Sequence, residues 1–471
     1  MQAGLCALPG VSLAGEWTIT PRASVQTTWT DNANEARDGE DRNSDFLVQG
    51  TPGVTITGTG GRFSLALNFS HTESLSMLDA TDNESINTLA ANGRAELYDR
   101  VFFVDATSSI SRQVIDSAAP VSSVDTGTSN NRTTVQTASL EPFFLHHFGT
   151  WLETESRTRL DMTRTESEEI SDTQTIGQYF NFNSGRRFST FTFSGALSDE
   201  KIVRDNGAPS SNEMVAVTNY RLRVLPRLSL LSSLGWENID DPTLTDEPNG
   251  ITWNVGFAAQ PNSRSSIELT YGTELQEQAI NLNATYALSS RTRLAASYSE
   301  TITSSERLLN DDLDFVVGDG FGQLIDSRTG LPFDATNDNF GFTTSLFRQR
   351  VFTLTLNAQR RLWSYAGGLT WEQRKTDSTG VEETVTTADI SATRPLNSRL
   401  SATIAASVSL HDFGTDDQRE DKDYTLSGSL TYQLNASTTA ALSYTRDQTR
   451  SSEGANNFND NTVTLNLTHT F

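Results

Sequence analysis

Apolar and polar side chains alternate along this chain from one end to the other. From Asn461 to Phe471, residues Val463, Leu465, Leu467 and Phe471 share one parity, and Thr464, Asn466, Thr468 and Thr470 the other. A period of two gives an extended strand one apolar face and one wet face. The rhythm recurs in Phe63/Leu65/Leu67/Phe69, Ile251/Trp253/Val255/Phe257, Ile280/Leu282/Ala284/Tyr286/Leu288 and Leu400/Ala402/Ile404/Ala406/Val408/Leu410. A soluble β-sandwich has the same period, so the period by itself does not decide the class.

The breaks discriminate better. Tight connections near 58–61, 98–100, 225–227 and 360–362 alternate with longer, more polar ones such as 30–44, 115–132, 304–339 and 412–422. Alternating short and long turns is the wiring of outer-membrane barrels, short inside the periplasm and long outside the cell. The pattern predicts an all-β fold: one transmembrane antiparallel up-and-down β-barrel over 17–471, of about 22 strands (about 18 to 24) and about 11–14 residues per strand. The segment 339–359 reads as one long strand or two. An even count places both termini in the periplasm. Val463, Leu465, Leu467 and Phe471 then mark the strand that closes the barrel, with His469 where an apolar residue is usual and facing lipid. Trp17, Trp29, Trp151, Tyr220, Trp236, Tyr271, Trp363 and Tyr444 fall near strand ends, as an interfacial aromatic girdle requires.

Composition agrees with this reading. Only 35% of residues are hydrophobic. No apolar run approaches the ~20 residues of a spanning helix, whereas a barrel needs only alternate residues apolar. Residues 1–16 read as the remainder of a secretory signal or an N-terminal periplasmic segment, with Ser12-Leu13-Ala14 as a cleavage-like triplet. So short a segment argues against an N-terminal plug domain. The single cysteine, Cys6, excludes disulfides and thiolate metal sites. Net charge is −24, from 59 acidic and 35 basic residues, which disfavours nucleic acid as a partner.

Three stretches carry a resemblance: Ala95–Gln113 (AELYDRVFFVDATSSISRQ), Ile325–Asp334 (IDSRTGLPFD) and Arg348–Asn357 (RQRVFTLTLN). They resemble outer-membrane β-barrel proteins associated with PEP-CTERM/exosortase systems. The resemblance implies a Gram-negative outer membrane, a setting of exopolysaccharide production and surface-protein sorting, and no catalytic residues.

Candidate chemistry is sparse. Of five histidines, His146 and His147 sit in an expected periplasmic turn, and His411 beside Asp412 at an outer strand end. A hydrolase needs a serine or second carboxylate converging there, and none is singled out, so the chain reads as a non-enzyme. Acidic loops are the strongest local feature. Asp311, Asp312, Asp314, Asp416 and Asp417 are the candidates for Ca²⁺ or Mg²⁺, against the plainer reading of solvated, repulsive loops; no other cofactor is implied. Parity turns Asn254, Asn281, Asn283, Asn357, Arg221, Arg223, Glu268 and Glu372 into the bore. A bore this wide needs an occluder, and the loop 304–339, with Gly318, Gly320, Gly322 and Gly330, is the expected one. The function expected is a pore or export conduit for exopolysaccharide or another cell-surface polymer. The competing expectation is a non-conducting docking barrel whose acidic loops anchor polymer or protein. Expected partners are membrane lipid and lipopolysaccharide, the barrel-assembly machinery, and export or sorting components.

Overall fold

A computed structural model describes residues 15–471 except 125–128, 130, 169, 206–208, 243, 245–247, 275–276, 319–323, 328–338, 377–380 and 415–418. Residues 1–14 of the expected N-terminal segment (1–16), Gly320, Gly322, Gly330, Asp416 and Asp417 therefore lie outside the described residues.

The chain opens with β1 (Gly15–Thr30), β2 (Asp45–Gly60), β3 (Phe63–Ser76), β4 (Glu84–Tyr98), β5 (Phe102–Val114), β6 (Arg132–Phe148) and β7 (Leu152–Thr165). It continues through β8 (Thr173–Ser184), β9 (Phe191–Arg204), β10 (Ser211–Leu225), β11 (Leu228–Asp240), β12 (Asn249–Asn262), β13 (Ser265–Glu274), β14 (Glu277–Ser289) and β15 (Thr292–Thr303). A helix, α1 (Ser305–Leu313), and a small hairpin of β16 (Val316–Gly318) and β17 (Leu324–Asp326) follow. The remaining strands are β18 (Phe347–Arg360), β19 (Trp363–Thr376), β20 (Val381–Pro395), β21 (Leu400–Asp412), β22 (Glu420–Asn435), β23 (Thr438–Ser451) and β24 (Phe458–Thr470).

Apart from the hairpin, all strands form one 22-stranded antiparallel sheet, and β1 pairs with β24 to close it. Closure leaves no edge, so every strand within the hydrocarbon finds partners for its N–H and C=O groups. The sealing register runs from Arg22↔Thr470 to Thr30↔Thr462. The expected strand number and closing strand are therefore observed. Strands of 10 to 17 residues are more variable than the expected length, because many continue past the apolar band into the headgroup layers. The 339–359 segment contains one strand, β18. β1 begins two residues earlier than expected, at Gly15.

Directly paired residues share a face, so the register assigns the faces. Trp29↔Val463, Thr27↔Leu465 and Val25↔Leu467 lie outward, as do Trp236↔Ile251 and Val255↔Tyr271. The apolar members of these pairs are exposed, as a lipid-facing surface must be in the absence of lipid. His469 lies on the same face opposite Ala23, where its Nδ1 is 2.9 Å from Thr438 Oγ1 and its ring meets Phe471 edge-on at 4.6 Å. Two partners thus serve the polar histidine at the edge of the apolar band. One expectation is corrected: His146 and His147 are not in a turn. β6 runs on to Phe148, pairing them with Thr154 and Glu153, and the turn is made by Gly149 at φ +61°.

Replacing Leu465 by Arg should cost roughly 2–4 kcal/mol of unfolding free energy, because a charge then lies near the bilayer midplane. Ser443, which pairs with Thr464 on the inward face, should accept Arg with a much smaller loss. Urea titration of the barrel folded into vesicles measures both; equal losses would reverse the face assignment.

Candidate functional site

The inward face is dry at one end and wet at the other. Along β1, inward Thr28 and Thr30 are buried, Ser24 and Arg22 half-buried, and Thr18 exposed. β10 repeats the gradient, from buried Ser211 through half-buried Glu213 to exposed Asn219, Arg221 and Arg223. The buried end carries the long loops and the exposed end the short turns and C-terminus. The bore is thus a cup, filled on the extracellular side and open to the periplasm.

The filling is chiefly the β15–β18 connection. The sequence pattern leaves this stretch as loop, but its first nine residues form α1, capped where Ser304 Oγ accepts from the Arg307 backbone N–H at 3.4 Å. Leu309 and Leu313, one turn apart, face different parts of the wall. Leu309 packs with Val135, Ile170 and Phe342, and Leu313 with Ala66, Ala90, Val316 and Leu324. Ala66 and Ala90 belong to β3 and β4, and β4 is the eleventh strand from β15 in either direction around the ring. The connection therefore spans the bore as a strap. Two small side chains make its apolar seat, and Asn92 Nδ2 donates to the Leu313 carbonyl at 3.0 Å. Burying Leu313, Val316 and Leu324 stabilises docking by roughly 1.5–3 kcal/mol for each side chain.

Charge secures what the apolar seat begins. Glu200 and Glu213 are directly opposed on β9 and β10, a destabilising pair by itself. Arg307 of α1 lies between them, bonded to Glu200 and reaching Glu213 at 2.9 Å. Burial pulls the Arg307 guanidinium down, but Glu213 and Glu200 outweigh it and hold it above its ordinary range. Burial raises the neighbouring Glu306 carboxyl, opposed by the hydroxyl of Thr173, which donates to it. Beyond α1 the wall carries a belt of ion pairs: Arg94 with Asp105 (2.6 and 2.7 Å), Arg157 with Asp105, Glu141 and Glu155 (3.0, 2.5 and 2.9 Å), and Arg159 with Asp161 (2.8 Å). Arg159 also reaches toward Asp311 of the strap at 3.8 Å.

A second strap crosses beneath the loops. The β5–β6 connection sends Ser117, whose hydroxyl donates to Glu383 of β20 at 2.6 Å. Ser122 donates to Asp460 at 2.8 Å and Ser123 to Asp447 at 2.6 Å. The two straps meet where the Phe342 N–H donates to the Val114 carbonyl at 2.8 Å. Between the second strap and strands β20–β24 lies a cavity of about 240 Å³, lined by His411, Asp421, Asp423 and Asp447 among others. Nothing in the periodicity marked 115–124 for this role; its only sequence signal is a run of small residues (SAAPVSS, 117–123) in a set of otherwise acidic loops.

The expected site residues divide clearly. Asn254, Asn281, Asn283, Asn357, Arg221, Arg223, Glu268 and Glu372 all take the inward parity, opposite to Trp253, Ile280, Leu282, Leu356, Tyr220, Leu222, Leu269 and Trp371. Arg221 and Glu268 neutralise each other at 2.8 Å in the open half, each 48% exposed. Glu372 bonds Gln349 and Arg374, both at 2.7 Å, in the filled half. Asp311, Asp312 and Asp314 depart from expectation: they sit on or just after α1, inside the bore and not on the outer surface. Among the described residues no group of three His, Cys, Asp or Glu side chains could hold a metal ion. His411 Nε2 lies 2.5 Å from Glu383, but Ser117 donates to that carboxylate and not to the imidazole, so the three do not form a nucleophile–base relay.

A family model described as "Putative beta-barrel porin 2" matches residues 369–471, from within β19 to the C-terminus. The fold is similar to the siderophore receptor PirA from Acinetobacter baumannii, with TM-score 0.54 and 10% identity over 96% of this chain and 80% of that one. It is also similar to the ferric-catecholate import receptor Fiu from E. coli K12 in its open form, with TM-score 0.53 and 10% identity over 96% and 81%. No curated protein matches the sequence. The closed ring with its apolar outer band, and a fold shared with these receptors, make this chain a membrane-spanning β-barrel of the bacterial outer membrane, in contact with its lipid.

Two outcomes follow for the strap. Leu313→Asp should weaken docking by about 3 kcal/mol or more, combining lost burial with a carboxylate in an apolar seat. Limited proteolysis within 305–340 of the folded barrel should then accelerate; an unchanged rate would contradict the seat. Burial in the bore pushes Asp314 up to about 6 from 3.8, with Glu141 adding and Arg159 opposing. A raised carboxyl favours the docked state most below its ordinary value, and that contribution is lost as pH rises through about 6. Cleavage of the strap by a protease active across the range should be slower at pH 4.5 than at pH 7.5, and Asp314→Asn should flatten the difference.

Proposed function

We propose that this barrel is an outer-membrane export conduit, closed at rest by its own β15–β18 strap. The observation that carries the reading is the asymmetry of the bore: inward residues are buried at the extracellular end and exposed at the periplasmic end. Cargo from the periplasm meets a water-filled vestibule and a gate beyond it. An importer would be better served by a cup opening outward.

The vestibule suggests the cargo. Amides such as Asn283, Asn357 and Asn219 and hydroxyls such as Ser233 line it, and Arg221 and Glu268 cancel one another. Such a wall offers many hydrogen bonds and few charges, Arg223 being an inward cation that Glu268 leaves over, which suits a hydrated, weakly charged polymer. A strongly anionic polymer calls for a ring of unpaired cations. The resemblance to barrels of PEP-CTERM/exosortase systems points the same way, toward exopolysaccharide or a related surface polymer, with export or sorting components as further partners.

Replacing residues 305–340 by a short Gly-Ser turn should raise single-channel conductance in planar bilayers several-fold. Neutral dextran added on the periplasmic side should then reduce the current more than dextran on the other side. Unchanged conductance would sink the gate. An absence of current even from the deleted barrel would favour a docking barrel that anchors surface polymer without conducting.

A further inference from the structure

The outward faces of β22 and β23 carry an unneutralised basic patch. Lys422 and Arg450 are direct cross-strand partners, and Arg446 pairs with Leu426 two rows nearer the membrane. All three are exposed and share the parity of Tyr424, Leu426, Leu442 and Tyr444, which face lipid. Among the described residues none makes an ion pair or side-chain hydrogen bond with them. Apart from Glu420, one same-face row further out, the acids of these strands point the other way: Asp421 pairs with Arg419, Asp423 accepts from Thr449, and Asp447 accepts from Thr425 and Ser123, all inside.

Two facts make the patch more than scattered surface charge. Like charges directly opposed across strands destabilise a sheet unless something neutralises them, and here they occur in a chain of net charge −24. Elsewhere at the same rim the barrel supplies the counter-charge itself: on β18, Arg350 reaches Glu277 at 2.8 Å and Glu300 at 3.1 Å. The patch also has a defined depth. Tyr424, between the Lys422 and Leu426 rows, and Tyr444, just below Arg446, mark the headgroup boundary. Leu410 lies level with Lys422 and Leu426 level with Arg446, and Leu442 with Leu430 continues the apolar band beneath. Glu420 and Asp412 form the next row outward, so the three cations lie between an acidic row and the apolar band, within three same-face rows of the sheet. On the long-loop side of the barrel, those rows lie in the outer-leaflet headgroup region.

We infer that Lys422, Arg446 and Arg450 bind the phosphate of an acylated, phosphorylated glycolipid of the outer leaflet. Its acyl chains lie over Leu410, Leu426 and Leu442, and the phosphate bridges the opposed Lys422 and Arg450. Arg and Lys both suit this task, as fork and point charge. The inference rests on the membrane orientation and is independent of whether the barrel conducts.

The test is native mass spectrometry of the folded barrel in detergent with a bis-phosphorylated lipid A or its dephosphorylated form. The wild type should retain the phosphorylated lipid preferentially. Lys422→Ser/Arg446→Ser/Arg450→Ser should lower that occupancy by at least about tenfold, from the loss of three surface cations. Lys201→Ser, which removes an outward cation on β9, should not change it. Should the triple variant fail to fold, judged by its heat-modifiable gel mobility, Arg450→Gln alone should still reduce retention measurably. Equal retention by wild type and the folded variant would overturn the site. So would equal binding of the dephosphorylated lipid, or displacement of the lipid by millimolar inorganic phosphate.

Discussion

A strand in hydrocarbon has no water to bond, so its backbone must be satisfied by neighbours on both sides. Everything else in this molecule follows from meeting that demand with 22 strands. The β1–β24 register removes the last edge, and in doing so encloses a bore too wide for side chains to fill. Closure solves the backbone problem and creates the occlusion problem.

The chain solves the second problem with its own connections. α1 reaches the far wall because small Ala66 and Ala90 leave room for Leu313, Val316 and Leu324. Arg307 relieves the opposed Glu200 and Glu213, which would otherwise repel within the wall. The Ser117–Ser123 strap uses hydroxyls against Glu383, Asp447 and Asp460. Polar contacts therefore carry much of the docking, and the apolar seat is correspondingly small.

Strand count, alternation of short and long connections, and the inward parity of Asn254, Asn281, Asn283, Asn357 and Arg221 were all legible before any coordinates. Each depends only on the period-two pattern and the positions of polar breaks. The helix at 305–313 was not legible, because nine residues within a long acidic stretch carry too little periodicity to stand out. The role of Asp311 and Asp314 was misread for the same reason: acidic loop residues usually face solvent, and here the loop turns inward and takes them with it. The run of small residues at 117–123 gave no sign of its partners, which lie more than two hundred residues away.

The sequence by itself therefore determined the barrel, its wiring and the face each strand residue takes, since adjacent side chains must point to opposite sides whatever lies around them. The tertiary structure alone decided which acids and bases meet across the bore, that two connections fill its loop end, and that Lys422, Arg446 and Arg450 have no ion-pair partner among the described residues. Those outcomes join residues brought together only when the ring closes. No local pattern can encode a contact whose geometry is set by the diameter of the whole barrel.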